Sequence, residues 1–470
     1  MKILLILASG DVDPLKNLDP FMPLVFPILA SVAPEHDYTF IDLLRDDESS
    51  IRNDKEYDVV GISYRVSARN KAFKIADRFR ENNTPVVLGG PQASTLPFEA
   101  IEHADAVVVG EAERLWPIIL NDLKKDELKR FYVSTPKDFD SKGYTCYKVN
   151  DFPCLTQMPV PRRDFIRGKY SFDVIYAARG CPVDCSFCSV SNLFGKKIRL
   201  REVDDVVAEI DTLRRRFYLV DDTVFGRPVC YDYYLVLYQK IQKLKKKRFW
   251  TGQANLDAAA DPKGKQVIEE AAKAGFCFAS IGIETINPEN QKDTGVDKKL
   301  GISGEKDMRK EIKENIDFIQ KQGISISGWF TIGLEGDTLE SCLDTLDFCI
   351  ETNIFPIFSP IQVFEGTRLY DELNEQGKLI DKNTNVTNIK HPNLTNEDLI
   401  FILKTVLDKG FSKKAIWKRT WFYLKLFRKL KRGHFDLVYR IMYALIAQFR
   451  IKKIQKQEIV RFSKRIIIEH

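Results

Sequence analysis

Histidine is scarce in this chain, with five in 470 residues and none between His103 and His391. A zinc site in that interval could not draw a fourth ligand from histidine. Cysteine is confined as well: there are nine, none before Cys146 and none after Cys349. So few thiols in so long a chain do not make the disulfide scaffold of a small secreted domain, and reduced cytosol is their natural setting. No stretch of 18 apolar residues runs without a charge, which argues against a spanning helix. The apolar run Ile3-Leu4-Leu5-Ile6-Leu7 stops at Ala8-Ser9-Gly10-Asp11, and reads as a buried first strand rather than a signal peptide.

What is present is enough for two or three domains, each with its own core. The formal net charge of +6 hides an asymmetry. Residues 411–470 carry 17 Lys and Arg against three acids, a local +14, so the remainder carries −8. Tail and body must have different surroundings or partners.

Residues 1–135 alternate short β-rich runs (2–7, 38–43, 58–63, 85–88 and 106–109) with helical segments at 67–82 and 113–125. That alternation predicts an α/β domain, a doubly wound parallel sheet covered on both faces. Ligands bind such sheets beyond the carboxyl ends of the strands, where Gly10, Gly61, Gly89-Gly90-Pro91 and Gly110 fall. Paired glycines serve tight turns as readily as ligands. Residues 136–171 hold Pro136, Pro153, Pro159 and Pro161 and read as a linker. From 172 to 380 six more strands are expected (173–178, 217–220, 249–253, 278–283, 324–332 and 357–363). Helices at 203–214, 231–245, 262–274, 305–321 and 338–350 separate them. Residues 381–470 form a basic helical region.

The most informative stretch is Arg179-Gly180-Cys181-Pro182-Val183-Asp184-Cys185-Ser186-Phe187-Cys188. Three thiolates on one loop can hold three irons of a [4Fe–4S] cluster and leave the fourth open to a substrate. Cys181, Cys185 and Cys188 would also share one face of a helix, as a buried stripe. Gly180 and Pro182 argue against that helix, and Asp184 suits a buried turn poorly.

This C-x3-C-x2-C loop resembles that of the radical S-adenosylmethionine (SAM) enzymes, whose partial (β/α)6 barrel matches the second block of strands. Four turns downstream resemble the family's in order. Asp221 and Asp222 follow the second strand, where the family binds SAM's amino end; a solvated strand end is the alternative. Glu284 and Thr285 sit in a turn like the one that contacts SAM's ribose and carboxylate. Gly333 and Glu335 sit in a turn like the one that approaches adenine, and Phe364–Tyr370 is similar to the turn closing the sixth strand. Upstream, Gly89-Gly90-Pro91 and Gly110-Glu111 resemble the loops of a cobalamin-binding domain. Ser9-Gly10-Asp11-Val12-Asp13-Pro14 departs from that pattern by lacking the cobalt-ligating histidine.

The resemblance implies a [4Fe–4S] cluster, SAM and cobalamin as cofactors, with a flavodoxin- or ferredoxin-type electron donor. It implies SAM cleavage to a 5′-deoxyadenosyl radical and methylation of an unactivated carbon, in the branch that includes hopanoid methylases and the anaerobic magnesium-protoporphyrin cyclase. A radical SAM oxidase, cyclase or mutase is the rival enzyme, and an iron–sulfur redox or scaffold protein the rival outside catalysis. Methylthiotransferases bring a second cluster on N-terminal cysteines; their absence here, and the absence of cysteines after the barrel, leave a single cluster. Cys342 and Cys349 read as core. The tail interleaves Trp417, Trp421, Phe422 and Phe427 with Lys and Arg. That pattern fits an amphipathic helix on an anionic membrane, and packing against the barrel is the alternative. No nucleic-acid motif accompanies it. The expectation is a cytoplasmic enzyme, peripheral at the membrane, with a lipid or other hydrophobic substrate.

Overall fold

Apolar runs such as Lys2–Leu7 and Val59–Ser63 become strands buried on both faces, as parallel sheets require. The computed structural model describes the chain apart from residues 11–18, 52–55, 167–169, 291–296, 303–306, 381–385, 431–432 and 468–470. Contacts divide it into two units: Met1–Ser171 with Val190–Leu200, and Phe172–Ser189 with Arg201–His470.

The first unit is built on β1 (Lys2–Leu7), β2 (Asp37–Asp42), β3 (Val59–Ser63), β4 (Val86–Gly89), β5 (Ala106–Gly110), β6 (Phe131–Ser134) and β7 (Cys146–Val149). They form one sheet in the order β2-β1-β3-β4-β5-β6-β7, every pair parallel. Helices α1 (Val25–Val32), α2 (Arg69–Glu81), α3 (Pro91–Thr95) and α4 (Trp116–Lys124) alternate with the strands. Ile6, Val60, Leu88, Phe79 and Phe131 are fully buried in its core. Here β7 falls inside the segment expected as linker. Its side chains are half-buried or exposed, so no apolar run marks it.

The second unit opens with β8 (Asp173–Ile175) and the short β9 (Ala178–Arg179); a further short strand, β10 (Arg199–Leu200), belongs to the first unit. Then follow β11 (Arg216–Leu219), β12 (Phe249–Ala254), β13 (Phe276–Glu284), β14 (Ser325–Ile332) and β15 (Phe355–Pro360). These make a six-stranded parallel sheet ordered β15-β14-β13-β12-β11-β8. No pairing joins β15 to β8 among the described residues, so the sheet is an open, partial barrel. Between the strands lie α5 (Val203–Thr212), α6 (Tyr231–Gln242), α7 (Pro262–Lys273), α8 (Met308–Lys321) and α9 (Leu339–Glu351). Side-chain caps start several of them: Asp261 accepts from the Gly264 amide and Thr338 from the Ser341 amide, each satisfying an orphan donor.

After β15 come α10 (Arg368–Glu375), α11 (Asn396–Thr405), α12 (Lys413–Lys429) and α13 (His434–Ile467). The alternative that the basic tail packs on the barrel is what the structure shows for its inner face. Arg440 is fully buried. Its guanidinium donates to the carbonyls of Phe276 (2.7 Å), Gly323 (2.7 Å) and Ala272 (2.8 Å) and pairs with Asp436 at 2.8 Å. Tyr439 stacks on Phe249 with ring centroids 4.0 Å apart. Phe249 and Phe276 open their strands, so α13 crosses the amino ends of the sheet. Further along, Gln455 takes the place of a neighbouring strand. Its amide accepts from Phe358 N at 3.2 Å and donates to Phe358 O at 3.2 Å, covering the outer edge of β15. Lys431 and Arg432, counted in the basic stretch, lie outside the described residues. No described helix is long and apolar enough to cross a membrane.

Candidate functional site

Strand β8 delivers the cysteine loop at its carboxyl end, and neighbouring residues hold that loop in shape. Asp184 sits at φ +57°, a left-handed conformation that Asp tolerates. Arg368 grips it, with Nη1 3.3 Å from the carboxylate and Nη2 donating to the Asp184 carbonyl at 3.2 Å. The Leu369 amide donates to the Ser186 carbonyl at 3.0 Å. The turn after the sixth strand therefore clasps the loop that carries the thiols.

Asp221 and Asp222, at the end of β11, turn toward the same loop. Asp221 Oδ1 accepts from the amides of Ala177 (2.7 Å) and Ala178 (3.0 Å), and Oδ2 accepts from Tyr234 Oη at 2.8 Å. Its carboxylate is spent on fixing the strand that leads into the cysteines. Burial pushes its pKa up to about 7, against those hydrogen bonds. Asp222 accepts from the Gly180 amide, and burial pushes it up to about 6.

Glu284 is placed by a register shift in β13 between Gly282 and Glu284, an irregularity of the kind that re-aims side chains at sites. Its carboxylate receives Lys299 Nζ at 2.8 Å and Thr331 Oγ1 at 2.8 Å. A Cβ on Gly282 would stand 2.6 Å from Glu284 Oε1 and 3.1 Å from Lys299 Nζ. A side chain here would push the pair aside.

Lys299 escaped the sequence reading, as did Arg227. Burial pushes the thiols of Cys181 and Cys185 up, while Lys299 and Arg227 both pull them back toward thiolate. Arg227 is itself buried and pairs with Asp257. No signal in the sequence marks Lys299, which lies 15 residues from its partner; Arg227 follows Asp221 closely enough to have been suspected.

Among the described residues no three His, Cys, Asp or Glu side chains are grouped to hold a single ion. A four-iron cluster gives each thiolate its own iron, so the three sulfurs need not converge on one point. Two buried hydroxyls at this end of the sheet, Ser186 Oγ and Thr223 Oγ1, have no hydrogen-bond partner among the described residues. Three thiols, two cations and two orphan hydroxyls fit an acceptor-rich group such as a cluster with SAM.

The other expected SAM contacts divide. Thr285 is buried, and its hydroxyl accepts from the Asn287 amide at 3.0 Å. The Gly333 amide is held by Asp337 Oδ2 at 2.9 Å in a turn that Asn290 also braces, at 2.6 Å to Asp337 Oδ1. Burial pushes Asp337 up to about 6. Glu335 points to solvent and pairs with Lys378 at 3.0 Å, so it does not join Glu284 and Lys299. Val220, Trp329 and Phe364 keep 40–45% of their surface exposed at this end of the sheet or near it. Trp329 lies opposite Gly282 in the strand register, on the face that the helices leave uncovered.

In the first unit, the Gly89-Gly90-Pro91 loop and the Gly110-Glu111 turn stand at the carboxyl ends of adjacent strands. Gly90 and Gly110 have φ of +94° and +91°, and a Cβ on Gly110 would meet the Ser134 carbonyl oxygen at 2.2 Å. Ser94 ties the two loops: its hydroxyl donates to the Gly90 carbonyl at 2.9 Å and accepts from the Gly110 amide at 3.0 Å. Glu111 is buried against Arg199. Gln92 Nε2 is buried with no acceptor among the described residues. An orphan amide beside two glycine turns fits a polar cofactor tail. Asp11, Val12, Asp13 and Pro14 lie outside the described residues.

Comparison with known proteins agrees with this geometry. Residues 175–349 match the radical SAM superfamily. The chain is 29% identical over 370 residues to bacteriochlorophyllide d C-12(1)-methyltransferase of Chlorobaculum tepidum, covering 77% of this chain and 75% of that one. It is 26% identical to hopanoid C-2 methylase of Rhodopseudomonas palustris, over 77% of this chain and 66% of that one. Among solved structures, it shares a fold with the cobalamin-dependent SAM radical enzyme OxsB with aqua-cobalamin and SAM bound. There the TM-score is 0.66 at 15% identity, over 95% of this chain and 71% of that one.

Proposed function

We propose that this chain, a radical SAM enzyme whose radical SAM domain spans residues 175–349, is a cobalamin-dependent methyltransferase acting on an sp3 carbon of a large hydrophobic substrate. The observation that carries the reading is the cysteine loop, clasped at the carboxyl end of β8 between two cations. When bound, the cluster and SAM supply a 5′-deoxyadenosyl radical, and cobalamin a transferable methyl group.

The chain's own residues would do the positioning. Cys181, Cys185 and Cys188 hold the cluster. Lys299 offers an ammonium to a carboxylate, and Glu284 offers a carboxylate to an ammonium or ribose hydroxyl, each a charge-assisted contact. Asp221 positions the loop without touching a ligand. Gly89, Gly90, Pro91, Gly110 and Gln92 would cradle cobalamin, with Glu111 fixed by Arg199 behind them. Val220, Trp329 and Phe364 would form an apolar approach, Trp329 providing a flat face for a fused-ring molecule. The named relatives are a bacteriochlorophyllide methyltransferase and a hopanoid methylase. A flavodoxin- or ferredoxin-type donor would supply the electron.

Anaerobic reconstitution tests this. Reduced protein should release 5′-deoxyadenosine from SAM, and Cys185→Ala should not; intact release by that variant would sink the cluster assignment. Protein purified with cobalamin supplied should carry its absorption spectrum, and candidate tetrapyrroles or triterpenoids should gain 14 mass units. A protein that binds no cobalamin yet oxidises or cyclises substrate would overturn methyl transfer in favour of the rival enzyme reading.

A further inference from the structure

The two helices that close the second unit have an outer face that nothing in the fold uses. Arg419 and Arg440 turn inward and are buried, whereas the opposite sides of α12 and α13 are apolar and open to solvent. Trp417 is 68% exposed, Phe449 62%, and Trp421, Met442 and Ile446 between 44% and 47%. These residues are level with one another across the hairpin. Arg419 Nη1 donates to Gln448 Oε1 at 2.8 Å and Lys452 Nζ to the Phe411 carbonyl at 3.3 Å. That pairing sets the start of α12 beside residues 445–453 of α13. Trp417 and Trp421 stack at 6.1 Å, and Lys425 Nζ lies 5.2 Å over the Trp421 ring.

The charge around this patch has one sign. Lys414, Lys425, Arg428, Lys453 and Lys456 are exposed beside it, while Lys418 donates to the Ile350 carbonyl at 2.9 Å. Only two acids fall in residues 411–463, and both are engaged: Asp436 with Arg440 at 2.8 Å and Glu458 with Arg461 at 3.6 Å. A second copy of this chain docking by the same face would set cations against cations. An anionic bilayer answers both features at once. Indoles and aliphatic side chains enter the headgroup boundary while lysines meet the lipid phosphates.

We infer that the outer face of α12 and α13 docks on an anionic membrane surface. The hairpin covers the amino ends of the strands, the end opposite the cysteine loop. The docked enzyme would therefore present its site away from the bilayer, so the face acts as a tether rather than a substrate entrance. This inference stands apart from the reaction proposed above.

Sedimentation of the full-length holoenzyme with vesicles of 70% phosphatidylcholine and 30% phosphatidylglycerol tests it. Binding should fall as salt rises and should be lost on pure phosphatidylcholine. The double variant Trp417→Ala/Phe449→Ala should bind at least ~10-fold more weakly, consistent with loss of two interfacial aromatics, while its SAM cleavage without lipid is unchanged. A Lys414→Gln/Lys425→Gln/Lys453→Gln variant should also bind more weakly. Equal vesicle binding by wild type and both folded variants would overturn the proposal. So would a salt-resistant dimer that the aromatic variant abolishes, or preferential binding to RNA over vesicles.

Discussion

Replacing Asp221 separates loop positioning from ligand binding more sharply than any other substitution at the site. Its carboxylate is buried and accepts three hydrogen bonds, from the Ala177 and Ala178 amides and from Tyr234 Oη. Asp221→Ala would strand all three donors in the interior. At about 1–3 kcal/mol for each unsatisfied group, the expected loss is about 3–9 kcal/mol, focused on the strand that leads into Cys181. Asp221→Asn keeps one acceptor oxygen for the amides, and Tyr234 can turn its hydroxyl to accept from the new amide, so about 1 kcal/mol should suffice. The two variants also differ in their response to pH. With its pKa raised from 3.8 to about 7, wild-type Asp221 holds a proton in the fold that the unfolded chain releases. Its contribution is present in full below about pH 4 and is lost as pH rises through about 7. At 1.36 kcal/mol per pH unit that contribution is bounded at roughly 4 kcal/mol. Denaturant melts at pH 5, 6, 7 and 8 should show wild type ahead of Asp221→Asn at pH 5, with the gap closing or reversing by pH 8. Iron content after reconstitution should be near wild type in Asp221→Asn and strongly reduced in Asp221→Ala. An Asp221→Ala protein with wild-type stability and full iron loading would refute the positioning role.

Lys299→Met should weaken SAM binding to the reconstituted protein by ~10–100-fold, the range for losing a charged hydrogen bond; calorimetry giving an unchanged Kd would remove Lys299 from the site. Gly282→Ala should displace the tip of Glu284 or Lys299 with little effect on denaturant melts, and should lower SAM affinity because the pair is moved. Arg440→Met leaves Asp436 partly buried without its cation and three carbonyls without a donor. It should cost about 3–5 kcal/mol in guanidinium melts, and a change below 1 kcal/mol would show that α13 does not seal the amino ends of the sheet.

The parallel strands β1–β5, β8 and β11–β15 were legible because burial on both faces makes them apolar runs, and their observed and expected bounds agree within a few residues. Strand β6 was missed although buried, being only the four residues Phe131–Ser134, and the two-residue β9 and β10 are too short to carry a pattern. Strand β7 was missed as well, since Cys146–Val149 is half-exposed at a sheet edge and sits among prolines. The cysteine loop and the order of the turns were legible as spacing. What the turns do with their side chains was not. Asp221 and Glu335 sit in turns that resemble the family's, yet one is consumed by backbone amides and the other faces solvent. Lys299 became visible only once the shift at Gly282 aimed Glu284 at it. In the tail, Trp417 and Trp421 announced an amphipathic helix. Arg419 and Arg440 counted toward a basic surface but proved to be interior braces, because their carbonyl partners lie 9–168 residues away in the sequence.

The side chain of Gln455 caps a strand made long before it. Phe358 and Gln455 are 97 residues apart, so during synthesis the outer edge of β15 emerges well ahead of its cover. At about 5–20 residues per second, that edge waits roughly 5–20 s with the Phe358 amide and carbonyl open, flanked by Pro356 and Pro360, which have no N–H to offer a second chain. A chain released before residue 455 would leave the Phe358 amide and carbonyl without that cover even though all six strands and the cysteine loop are complete, and Pro356 and Pro360 would be what guards the edge against another chain.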